Sequence, residues 1–161
     1  MKQKVYIETS IVSYLTGRPT RDMLVAAMQK MTLEWWVSQR RKFDVYVSEL
    51  VVDEIRQGDA NAAELRLASL DGIVSLALTE ESVALAKQLI AQGAIPRKAT
   101  DDAMHVAIAA VHGIEYLLTW NCRHIDNAET KPLIRSVCAV AGFVCPEICN
   151  PRELMGGKNS D

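Results

Sequence analysis

The stretch that decides the fold runs from Thr100 to Ile125, TDDAMHVAIAAVHGIEYLLTWNCRHI. Its first half, Asp101 to His112, is apolar on nearly every side from Ala103 to Val111, which predicts a helix buried all round rather than one lying on a surface. Gly113 closes that helix, as glycine does where the chain must turn left-handed. Tyr116 to Thr119 is then a short β-prone strand, and it opens into the polar segment Asn121 to Asn127. A buried helix, a tight turn and a buried strand in succession are what a helix packed on a parallel sheet requires.

The same alternation extends in both directions. Val5 to Glu8 reads as a first strand. Arg21 to Lys42 reads as a long helix, with Leu24, Met28, Met31, Leu33 and Trp35 or Trp36 supplying its apolar surface. Val45 to Val47 is a second strand, and Ser48 caps the helix Glu49 to Gln57. Ala60 to Leu70 is another helix, Ile73 to Ala77 a third strand, and Thr79 caps a helix through Ala91 that Gly93 and Pro96 end. After the deciding stretch, Lys131 to Ala141 is a last long helix. Phe143 to Ile148 is an edge strand, since Pro146 cannot donate to a ladder. The expected fold is therefore α/β, a three-layer α/β/α sandwich around a mostly parallel sheet. Residues 1–155 are expected to form one domain, with 156–161 a disordered tail.

Composition limits the function. With 161 residues, 49% of them hydrophobic and 24% charged, the chain can bury a single core. A net charge of −2 excludes a broadly basic nucleic-acid surface, so any such contact is local. No apolar run of about 18 residues predicts a membrane span. The cysteines, Cys122, Cys138, Cys145 and Cys149, follow no signal-like segment, and a cytoplasmic location is expected. The step from Cys145 to Cys149 does not suit zinc.

Ligands of parallel sheets bind outside the carboxyl ends of the strands, which directs attention to the polar residues there. Glu8 ends the first strand, and Thr9 and Ser10 follow it with hydroxyls able to bond a carboxylate or a metal-bound water; the alternative is that Glu8 is an exposed strand end and Ser10 a helix N-cap, which for Ser10 alone is the preferred reading. Glu54 falls, at about 100° per residue, between Leu50, Val51 and Ile55, whereas Asp53 points away. A carboxylate facing inward needs a cation, a metal or a proton, so Glu54 is either a metal ligand or is paired with Arg56 or another base. Asp102 stacks over Val106 and Ala109 toward the sheet, though it or Asp101 also suits the first turn of a helix dipole. His105 reads as a hydrogen-bonded core residue. Asn121, at another strand's carboxyl end, offers an amide oxygen to Mg²⁺ or Mn²⁺ or else makes a turn. Several acids gathered together are tolerable only with a cation.

On these residues the chain resembles the PIN-domain ribonucleases, and among them the toxin-like members of bacterial toxin and antitoxin pairs. The resemblance is carried by VYIETSIVSYL (Val5 to Leu15), SELVVDEI (Ser48 to Ile55), the Thr100 to Ile125 stretch, and FVCPEICNPRELM (Phe143 to Met155). It implies Mg²⁺- or Mn²⁺-dependent hydrolysis of RNA, with Glu8, Glu54 and Asp102 catalytic and Asn121 the fourth metal residue. Ser10 and Thr119 would support them, and Arg97, Lys98 and Arg123 would meet the phosphates, unless they are only solvated charges. A cognate antitoxin and a homodimer are the implied partners. The family usually has aspartate where this chain has Glu8, and often where it has Asn121, which leaves open whether one metal or two would bind. The alternative is a PIN module that binds RNA or protein without cutting.

Overall fold

The computed structural model describes residues 1–156. Apart from Gly156, the expected disordered tail lies outside the described residues. Among the described residues five strands form one sheet: β1 Lys4–Ile7, β2 Asp44–Ser48, β3 Val74–Leu76, β4 Tyr116–Leu118 and β5 Glu147–Cys149. Their order is β3-β2-β1-β4-β5, and every neighbouring pair is parallel. Parallel strands need crossovers, and helices α1 Thr9–Thr16, α2 Met23–Ser38, α3 Glu49–Ile55, α4 Ala60–Ser69, α5 Glu80–Ala91, α6 Thr100–Val111 and α7 Lys131–Val140 supply them. Helices α1 to α4 pack among themselves, and α5 packs on α6 and α7. The expected three-layer α/β/α arrangement is the one observed.

The deciding stretch behaves as its pattern requires. From Ala103 to Ala110 every residue of α6 is buried. Gly113 turns the chain at φ 69°, a conformation that costs a side-chain-bearing residue strain. Leu117 and Leu118 of β4 are buried, as are Val5, Tyr6 and Ile7 of β1. These two central strands pair Val5 with Tyr116 and Ile7 with Leu118, so both carboxyl ends open on the same edge of the sheet.

Four expectations are corrected. Thr9–Thr16 form the helix α1, which has no counterpart among the expected elements, and its N-cap is Glu8 rather than Ser10. The long helix is shorter than Arg21 to Lys42: Asp22 caps α2, which ends at Ser38, and Arg40–Lys42 is a separate 3-10 turn. Within α2, Trp35 and Thr32 are buried while Leu24 and Leu33 are exposed, so the inward face is narrower than its apolar content suggested. The last strand is not Phe143 to Ile148 but starts at Glu147, immediately after Pro146. It lies at the sheet edge beside β4, the kind of position that proline tolerates.

Candidate active site

Strand order fixes where a ligand can enter. The chain builds outward from β1 through β2 to β3, then returns to place β4 on the other side of β1. The connections leave β1 and β4 in opposite directions, opening a crevice between their carboxyl ends. Glu8 follows β1 directly and Thr119 follows β4 directly.

Glu8 is 5% exposed, and a buried carboxylate needs donors. It has three: the Ser10 hydroxyl at 2.5 Å and the Thr119 hydroxyl at 2.6 Å both donate to Oε1, and the Ser10 N–H donates to Oε2 at 3.2 Å. Thr119 Oγ1 in turn accepts the Asn121 N–H at 2.9 Å, and Ser10 Oγ accepts the Trp120 N–H at 2.8 Å. The start of α1 and the end of β4 are thereby tied together through one carboxylate. Ser10 and Thr119 do touch the acid they were expected to support.

Glu54 is held by other partners. Its Oε1 receives the Thr9 hydroxyl at 2.8 Å and meets His105 Nε2 at 2.5 Å. The base paired with Glu54 is therefore His105 and not Arg56. Burial pushes the Glu54 carboxyl up, but the hydrogen bond and charge of His105 and the Thr9 hydroxyl outweigh it and leave it below the usual glutamate value. Burial pushes the His105 imidazole down, while the bond to Glu54 and the charges of Glu8, Glu54 and Asp102 carry it above the ordinary histidine value. All three acids thus act on one fully buried ring.

Asp102 sits in the first turn of α6, half-buried, whereas Asp101 is exposed. Burial raises its carboxyl, the Asn121 side chain opposes that, and the negative charge of Glu8 adds to it; the net position is above the usual aspartate value. A carboxyl raised partly by a neighbouring carboxylate lies where a cation would be welcome. Asn121 itself makes a turn, its Oδ1 accepting the His124 N–H at 3.0 Å, so one lone pair of the oxygen offered to a metal is already engaged.

A shallow depression is lined by Glu54, Asp102, Lys98 and Arg123, together with Asp101 and His124. It brings two of the three expected basic residues to two of the acids; Arg97 is exposed and not among its lining residues. His124 and Tyr6 went unnoticed in the sequence. Tyr6 is open to suspicion as a buried strand tyrosine, whose hydroxyl usually finds a partner.

The donor set is all oxygen, and among the described residues Glu54 Oε2 makes no hydrogen bond and Glu8 Oε2 accepts only one. Such hard ligands suit Mg²⁺ or Mn²⁺ and not a thiophilic metal. Among the described residues, however, no three His, Cys, Asp or Glu side chains are grouped closely enough to hold an ion as they stand.

The comparisons agree with the topology. A comparison with curated proteins finds no match. Among solved structures the chain is similar to Mycobacterium tuberculosis VapC20, described as a sarcin-ricin loop cleaving toxin, with a TM-score of 0.58 and 18% identity over 87% of this chain and 96% of that one. That likeness concerns the fold. The sequence profile of the PIN domain matches residues 5–129, a span from β1 through β4 that includes Glu8, Glu54, Asp102 and Asn121, and the chain therefore belongs to the PIN domain family.

Proposed function

We propose that this protein is a Mg²⁺- or Mn²⁺-dependent endoribonuclease of the toxin type, hydrolysing RNA phosphodiester bonds. The observation that carries the reading is the acid placement at the switch point of the sheet: Glu8 held between the ends of β1 and β4, and Asp102 close enough to feel its charge. Family membership supports the nuclease class.

Glu8, Asp102 and Glu54 would hold the ion, with Asn121 at the edge of the set. When bound, such an ion supplies charge neutralisation at the phosphate and a more acidic water. The protein's part is positional. Ser10 and Thr119 fix the Glu8 carboxylate, and Glu54, kept ionised by His105 and Thr9, would accept a proton from the attacking water. Lys98 and Arg123, flanking the depression, would meet backbone phosphates and set the register of the strand. An antitoxin, a second copy of the chain and a cytoplasmic setting belong to the same proposal. Among the described residues no helix is long and apolar enough to cross a membrane.

A second reading, a PIN module that binds without cutting, is favoured by one observation: Glu8 and Glu54 each have hydroxyl or histidine partners within the protein. One experiment decides between them. Purified protein is incubated with a mixed RNA pool with and without Mn²⁺, beside Asp102→Asn and Glu54→Gln variants purified identically. Metal-dependent cleavage that both variants abolish supports the enzyme. Cleavage undiminished in the variants, or none in the wild type, overturns it.

A further inference from the structure

The hydrogen bonds around Glu54 continue inward and close on themselves. His105, with no exposed surface, meets Glu54 through Nε2 and the Tyr6 hydroxyl through Nδ1 at 2.6 Å. Tyr6 Oη lies 2.7 Å from Ser48 Oγ, and Ser48 Oγ accepts the Val51 N–H at 3.2 Å, capping the helix that carries Glu54. The circuit thus passes through β1, β2, α3 and α6, and one serine hydroxyl fixes both the short helix bearing the acid and the tyrosine that meets the ring.

When the His105 ring is neutral, counting protons fixes the direction of these bonds. Ser48 Oγ already accepts from Val51, so its own hydrogen is best placed on Tyr6 Oη. Tyr6 then donates to Nδ1, and the ring carries its proton on Nε2, facing Glu54. In that arrangement every donor of the circuit has an acceptor. The opposite direction leaves the Ser48 hydrogen without one.

We infer that His105 is a positioning residue: oriented by Tyr6 and Ser48, it pins Glu54 Oε1 together with Thr9 and leaves Oε2 as the free oxygen of a glutamate that lines the same depression as Asp102. The consequence for ion binding rests on the function proposed above, while the geometry does not. A glutamate on a seven-residue helix has three rotatable bonds, and two donors on one oxygen remove most of that freedom. Partners behind a ligating group commonly govern ion affinity in this way.

The test compares His105→Leu, which has no donor, with His105→Gln, whose amide reaches a similar place and keeps one. Both disturb the packing, so packing alone predicts equal effects. Calorimetric titration with Mn²⁺ is expected to show affinity reduced roughly 10- to 100-fold in His105→Leu and largely recovered in His105→Gln. Equal losses in the two, or no loss in either, would overturn the inference. Should His105→Leu fail to fold, Tyr6→Phe removes only the orienting hydroxyl and is expected to weaken Mn²⁺ binding in the same direction; unchanged binding counts against the inference. The second readout needs no metal. Nitrogen NMR of the wild type, recorded above the folded pKa of the ring, is expected to show Nε2 protonated and Nδ1 accepting, and the Glu54 carboxyl carbon resonance is expected to move in His105→Leu but stay near its place in His105→Gln. If wild type takes up no Mn²⁺, the proposed function fails, and this resonance alone judges the positioning role: identical behaviour in the two variants refutes it.

Discussion

Thr119→Val replaces a hydroxyl by a methyl of nearly the same shape, at a site with no solvent exposure. The threonine donates to Glu8 Oε1 at 2.6 Å and accepts the Asn121 N–H at 2.9 Å. Losing a hydrogen bond to a charged group costs about 1.5–3 kcal/mol, and a stranded amide adds roughly 1–3 kcal/mol where it stays dry. The new methyl returns about 0.8 kcal/mol of burial, and water reaching the half-buried Asn121 relieves part of the amide's cost. The net destabilisation expected is about 2–4 kcal/mol, or a Tm lowered by roughly 4–16 °C for a chain of this size. Urea unfolding of both proteins, with the denaturant slope checked for two-state behaviour, measures it. A change below about 0.5 kcal/mol, the range of ordinary surface substitutions, would refute the claim that Glu8 is held by the end of β4.

Other consequences can be checked separately. Asp22 caps α2 by accepting the Leu24 and Val25 N–H groups, both at 3.0 Å, so Asp22→Ala is expected to cost about 0.5–2 kcal/mol in urea unfolding without changing RNA cleavage. The Glu54–His105 pair gives a pH signature. Glu54 is lowered from 4.5, so its contribution is complete above that value and is lost as pH falls through its folded pKa. His105 is raised from 6.5, so its contribution is complete below that value and is lost as pH rises through its folded pKa. The stability difference between wild type and Glu54→Gln should then be greatest from pH 4.5 to 6.5 and shrink on both sides; a flat difference in Tm against pH would contradict the pairing. Cys122 is exposed, whereas Cys149 is buried with its thiol pushed up to about 12 by that burial and the nearby carboxylates. Iodoacetamide at neutral pH should label Cys122 first and Cys149 far more slowly, as peptide mass spectrometry would show.

What the sequence could and could not convey follows from the range of each interaction. The strands VYI and YLL are β-prone runs with clear ends, and Ser48 and Thr79 cap helices in the way their side chains favour, so these elements are legible locally. Helix α1 is not, because TSIVSYLT is rich in β-branched residues and its cap is a glutamate; the packing of Ile11 and Val12 into the core overrides propensity. The last strand is misplaced for a similar reason. Phe143 and Val144 look like strand residues, but the pairing of Glu147 with Tyr116 sets the register. At the site, Glu8 is legible because a strand end points in a known direction, and Glu54 because helix phase turns it inward. The identity of its partner is not, since His105 lies 51 residues from Glu54 and 99 from Tyr6. A buried helical histidine reads only as buried until the fold supplies its neighbours.

In the function proposed above, Glu8 and Asp102, with Glu54, would draw together on a divalent cation in the crevice between β1 and β4, since among the described residues they are not grouped closely enough to hold one as they stand. Crystals grown with Mn²⁺ and measured for anomalous scattering at the manganese edge test it most directly. A peak bonded to both the Glu8 and the Asp102 carboxylates, absent from crystals of Asp102→Asn, is the predicted result. Crystals saturated with Mn²⁺ that show no peak there, or one elsewhere on the surface, would contradict it.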